Sequence, residues 1–100
     1  MYQRNKILFG LAAYFILLSF TVSAQERNVA LLSSSCAACH GTNGHSVGGT
    51  PSLAGLSESY IVEQMKEFTN GERKATVMYS HASGYTQEEI ELMAAYFAKQ

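Results

Sequence analysis

"CAACHGTNGHSVGGTPSLAGL", residues 36–56, holds both cysteines of the 100-residue chain, two of its three histidines, five of its eight glycines and its only proline. Thiols and imidazoles are the side chains that bond metals and electrophiles. Here they are crowded into ten positions and followed by a run too rich in glycine and serine for a long regular element. Such a stretch reads as a place where something other than polypeptide is held.

Its first five residues, Cys36-Ala37-Ala38-Cys39-His40, have the C-x-x-C-H spacing of covalent haem attachment. Two thiols about one helical turn apart can each form a thioether with one of the two vinyl groups on a porphyrin edge. The next residue then lies under the ring, where an imidazole nitrogen reaches the iron. Each of the three positions has its own task.

Other uses of the same residues fit less well. A thioredoxin-like redox pair sits in a βαβ setting, and no stretch of this chain alternates convincingly with period two. A structural zinc site takes four ligands, usually as two separated pairs. Besides the cysteines only His40 and His45 are near, which crowds a tetrahedron into ten residues. A plain disulfide leaves His40 and the glycine-rich run without a purpose.

An electron-transferring haem iron commonly takes a methionine sulfur as its second axial ligand. Beyond residue 24 the methionines are Met65, Met78 and Met93. Met65 and Met93 fall on apolar helical stripes and read as core. Met78 falls in "GERKATVMYSHASGY", residues 71–85, which has no helical stripe, so it is the candidate ligand, arching over the distal face from a loop. His81, three residues on, is the rival. His45 reads as a solvated loop residue, because His40 already fills the proximal position. Tyr60, Tyr79 and Tyr85 suit the haem edge with their hydroxyls in water. Arg73 can pair with a haem propionate, since its fork matches a carboxylate, or stand as a bare surface charge.

Around these residues three helices are expected. The first runs from about Glu26 to Ser35, with Val29, Leu32 and Cys36 on one face and a weakening run of three serines. The second runs from about Glu58 to Asn70, capped by Ser57 and stopped at Asn70-Gly71, with Ile61, Met65 and Phe68 as its stripe. The third opens with a capping box, Thr86 and Glu89, and buries Ile90, Met93, Ala94 and Phe97. Loops fill 41–56 and 71–85. There is no internal repeat and only one C-x-x-C-H, so a single haem unit is expected.

The opening residues read as a cleavable signal peptide, 1–24. Arg4 and Lys6 precede an uncharged apolar run from Ile7 to Phe20, and Val22 and Ala24 supply small residues at −3 and −1. As a helix that run reaches roughly 21 Å, short of the ~30 Å hydrocarbon core, which argues against a retained anchor; with the leader removed, no stable membrane insertion is expected. The haem domain is then Gln25 to Gln100, with five basic residues against eight acidic. That balance argues against nucleic acid as a partner. A domain of 70–80 residues seldom builds enough core unaided, and cysteines three apart close too small a loop to staple it.

"CAACHG", "PSLAGL", "YIVEQMKEFTNGER" and a methionine ahead of "GYTQEEIELMAAYFA" together resemble a class I bacterial cytochrome c across nearly all of residues 25–100. The resemblance implies a small all-α fold, three main helices and long loops wrapped around one covalent haem c. It implies that the Pro51 carbonyl accepts the second N–H of His40, that Leu53 packs on the ring, and that the first and last helices cross with Val29 or Leu32 against Tyr96 and Phe97. Within that family "ATVMYSHASGYTQEEIELMAAYF" is most similar to the monohaem cytochrome subunits of flavocytochrome c sulfide dehydrogenase. This implies a periplasmic electron carrier, not an enzyme by itself, that accepts electrons from an FAD-containing flavoprotein oxidising sulfide and passes them to other redox proteins. The alternative is a free soluble cytochrome c shuttling between respiratory or photosynthetic complexes.

If the cofactor is the true interior, the Cys36→Ala/Cys39→Ala chain made without haem will show little helicity and no cooperative thermal transition. Circular dichroism through a melt checks this, and a native-like melt would refute it.

Overall fold

The computed structural model describes residues 28–100. The expected leader and the first two residues of the first expected helix lie outside them. Among the described residues the structure is helical with no strand. Helix α1 occupies 28–40, followed by a 3-10 turn, Thr42–Gly44. Helices α2 (Glu58–Asn70), α3 (Met78–Ser83) and α4 (Gln87–Ala98) complete the chain. Helix α2 packs on both α3 and α4.

Helix α1 runs five residues beyond the expected end at Ser35 and carries all of C-x-x-C-H. The serine run does not break it, because the side chains turn elsewhere. Ser34 Oγ donates to the Leu31 carbonyl at 2.7 Å, the Ser35 hydroxyl meets Tyr85, and Ser33 is buried. The helix ends where Gly41 takes φ 89° after its N–H closes a last bond to the Ala37 carbonyl at 2.9 Å. Of the two residues expected to face the last helix, Leu32 packs on the core that contains Phe97, with Tyr96 beside it, and Val29 is only half-buried and outside that cluster.

Helices α2 and α4 form as their caps dictate. Ser57 Oγ accepts the Tyr60 N–H at 3.3 Å, and α2 stops at Gly71 in the left-handed region. At α4, the Thr86 N–H donates to Glu89 Oε2 at 2.8 Å while Glu89 N–H donates to Thr86 Oγ1 at 3.2 Å. Both orphan donors are thereby satisfied. Ile61 and Met65 from α2 and Ile90, Met93, Ala94 and Phe97 from α4 join Ala82 as the buried apolar core.

The expected loop 71–85 is only partly a loop, which corrects the reading of three helices to four. Helix α3 is six residues long and has no side-chain cap at Val77. It is held by tertiary packing, Ala82 being 1% exposed. Its apolar pair, Met78 and Ala82, is too short a pattern to separate helix from coil by periodicity.

Phe97 ties the C-terminal helix to the segment after His40. Its ring approaches Gly44, where an added Cβ would lie 2.8 Å from Phe97 Cδ1 and 2.8 Å from the Ala54 nitrogen, at φ 80°. The Gly44 carbonyl accepts from Leu53 and Ala54 at 2.8 and 3.1 Å, and the Phe97 carbonyl accepts from Gly55 at 3.0 Å. The Tyr96 hydroxyl donates to Asn43 Oδ1 at 2.8 Å. Gly44→Ala adds both left-handed strain and a clash against backbone, so the holoprotein is expected to lose about 2–4 kcal/mol. Chemical denaturation followed at the haem absorption band measures this.

Candidate haem site

One cavity of about 440 Å³ opens between α1, the 50–56 segment, α2, α3 and α4, within the range of cofactor sites. Its wall includes Cys36, Cys39, His40, Pro51, Leu53, Arg73 and Met78, all named from the sequence. Ile61, Met65, Ile90, Met93 and Phe97 line it too, and these are core residues. Five of the seven buried apolar side chains of the core thus also form part of the cavity wall.

His40 is the best-defined member of the site. It is 9% exposed at the end of α1, and its Nδ1 lies 2.6 Å from the Pro51 carbonyl oxygen. A carbonyl only accepts, so Nδ1 carries the hydrogen and Nε2 keeps its lone pair. This matches the arrangement that orients a ligating imidazole and raises its basicity. Pro51 sits in the short run that the Gly44 carbonyl gathers through Leu53 and Ala54. The same turn thus positions both Leu53 and the acceptor for His40.

Cys36 and Cys39 are free thiols, Cys36 half-buried and Cys39 exposed. Burial pushes the Cys36 thiol above its ordinary value, and a hydrogen bond with Ser35 offsets part of this. A thiol held protonated is a poor redox nucleophile, which counts against a thioredoxin-like pair, as does the absence of strands among the described residues. Nor do three or more His, Cys, Asp or Glu side chains gather there into a metal cage. The residues present fit a haem: two unpaired thiols, an imidazole with a free Nε2, a thioether sulfur from Met78 and an apolar wall.

Met78 stands at the first position of α3, half-buried, where the sequence placed it in a loop. His81 lines the same cavity and His45 does not. Met65 and Met93 are core as expected, 9% and 3% exposed, although both also reach the wall. The Cys36 thiol points to Met93 Sδ at 3.9 Å. Arg73 reaches the rim, where Nη1 donates to Gln64 Oε1 at 2.5 Å and the guanidinium stacks 4.7 Å from the Phe68 ring centre. Gln64 lacks any sequence signal and emerges only as this partner.

Of the three tyrosines expected at the edge, Tyr60 and Tyr85 line the cavity and Tyr79 does not, being turned out on α3 at 56% exposed. Tyr85 also departs from the expectation of a hydroxyl in water. It shares a hydrogen bond with the Ser35 hydroxyl, joining the residue before Cys36 to the turn after α3.

The Cytochrome c family profile matches residues 26–100. The chain belongs to the cytochrome c family. It is an electron-transfer protein that carries covalent haem c, and not a catalytic enzyme. Among its relatives, the cytochrome subunit of sulfide dehydrogenase from Chlorobaculum tepidum is 54% identical over 72 residues, covering 72% of this chain and 66% of that protein. Cytochrome c-554(548) of Halomonas halodenitrificans is 38% identical over 69 residues, 65% of this chain and 83% of the relative. The thiosulfate dehydrogenase electron acceptor of Thiomonas intermedia is 37% identical over 67 residues, 65% of this chain but 31% of its own length. The matched part of this cytochrome thus spans just under two thirds of the first of these relatives and under a third of the last.

Proposed function

We propose that this cytochrome is the haem subunit of a sulfide-oxidising flavoprotein complex, exported to the periplasm after cleavage at Ala24. Its FAD-containing partner would hand over electrons one at a time, and soluble redox proteins would take them on. The 54% identity to a cytochrome subunit of sulfide dehydrogenase carries this reading. The apolar segment 7–20 behind Arg4 and Lys6 supports export. Among the described residues no helix is long and apolar enough to cross a membrane.

In this reading Cys36 and Cys39 would hold the ring by thioethers, His40 Nε2 and the Met78 sulfur would bind its iron, and Arg73 would pair with a propionate at the rim. When bound, the haem supplies a one-electron ferrous/ferric couple. The Pro51 carbonyl fixes the His40 ring so that no ligand reorientation accompanies electron transfer. A Met78 sulfur bound to the iron would leave oxygen or peroxide no place to bind. Ile61, Ile90 and Phe97 keep water from the cavity floor, which favours the less charged ferrous state.

A second reading, a free soluble carrier, is favoured by cytochrome c-554(548), a relative of which 83% is matched. Purification from the native host separates the two. A subunit will elute with a larger protein and with flavin in fixed ratio to haem, and a haem protein running alone as a monomer would refute that role. For the ligands, Met78→Ala is expected to abolish the weak long-wavelength band of sulfur-to-iron charge transfer. It should also lower the midpoint potential by on the order of 100 mV. The band should survive His81→Ala, and its loss there would overturn the assignment of Met78.

A further inference from the structure

His81 is the one imidazole on the cavity wall that the proposed ligation leaves without a task. It stands three residues after Met78 within α3, and residues three apart share a helix face with Cβ atoms about 5–6 Å from one another. Two iron-binding side chains of different hardness are therefore presented to one cavity by one short helix. That helix is lightly tied at its start. Val77 offers no side-chain cap, and residues 74–77 ahead of it are all exposed. Helix α3 packs on α2 and Ala82 is buried in the core, so the exchange of one side chain for the other falls to the lightly tied first turn.

Met78 is also the least buried of the three methionines on the cavity wall. It is half-buried, whereas Met65 and Met93 are 9% and 3% exposed. Peroxide oxidises a methionine thioether to the sulfoxide. In that reaction the O–O bond breaks and an S–O bond forms. Sulfur gives up two electrons, and the peroxide leaves as water or an alcohol. The sulfoxide is polar, and one of the thioether's two sulfur lone pairs is now tied up in the S–O bond, which makes it a poorer soft ligand.

We propose that His81 is a reserve axial ligand, taking the haem iron when the Met78 thioether is oxidised or removed. The inference rests on Met78 being the ligand of the intact protein. Its consequence is protective. The damaged cytochrome passes to a lower-potential bis-imidazole form and never presents an open iron to peroxide or gases. Lys74, the other nitrogen donor on this wall besides Arg73 and Gln64, lies on the exposed run before α3 and not on the helix with Met78.

The holoprotein tests this by electron paramagnetic resonance of the ferric form and carbon monoxide binding to the ferrous form. Met78→Ala should lack the sulfur-to-iron band yet stay low-spin. Adding His81→Ala should turn it high-spin and speed carbon monoxide binding by about tenfold or more. Adding Lys74→Ala should change neither. A Met78→Ala protein that is already high-spin, or one opened by Lys74→Ala instead, overturns the proposal. Peroxide treatment gives the same test with no cavity mutation at Met78. Once mass spectrometry finds one added oxygen on the Met78 peptide, the natural chain should remain low-spin and the His81→Ala chain should not. High-spin iron in the treated natural chain would likewise refute it. Persistence of the sulfur-to-iron band in Met78→Ala is a different failure, because it removes Met78 as ligand and with it the basis of the inference.

Discussion

The hydrogen bond from His40 Nδ1–H to the Pro51 carbonyl, 2.6 Å long, is the contact on which the arrangement of the site turns. It joins the end of α1, which carries both thiols, to the segment that closes the cavity on the proximal side. It also settles the tautomer, and with it which nitrogen is available to a metal. The bond needs the chain to reverse between residues 40 and 51 within a small radius. Gly41 and Gly44 make this possible with φ of 89° and 80°. Gly44 then serves twice more, accepting from Leu53 and Ala54 and leaving room for the Phe97 ring.

From that contact the remaining helices follow as walls. Their buried stripes meet one another at the edges of the cavity, so Ile61, Met65, Ile90, Met93 and Phe97 are at once core and lining. This is how a chain of this size manages burial. A domain of 70–80 residues has too little apolar surface to close an interior of its own. Apolar side chains set around a rigid flat cofactor bury their inner faces against it. The family's electron-transfer role uses the same geometry, since excluding water from the iron is what stabilises the fold and what favours the ferrous state.

The distal side is built differently. Helix α3 is short and uncapped, anchored by Ala82 within the core and by the Tyr85–Ser35 bond just past its end. It is held by tertiary contacts at its far end and by little at Val77. Rigidity on the histidine side and lighter fastening on the methionine side would suit the proposed pairing of a fixed imidazole with a soft thioether.

By itself the sequence determined the attachment chemistry and the two long capped helices, because these rest on local rules. C-x-x-C-H is read from spacing alone. Ser57 with Gly71, and Thr86 with Glu89, satisfy backbone groups within a few residues of themselves. Tertiary structure alone decided what depends on distant partners. Helix α1 runs on through its serines with Ser33 buried and Ser35 joined to the distant Tyr85. Helix α3 exists because Ala82 finds a buried place, although six residues hold no readable period. Tyr79 turns outward and Tyr85 inward, and Arg73 finds Gln64, for the same reason. Local hydrogen bonding is written in neighbouring residues, whereas the faces that meet across the cavity are chosen only when the whole chain has closed around it.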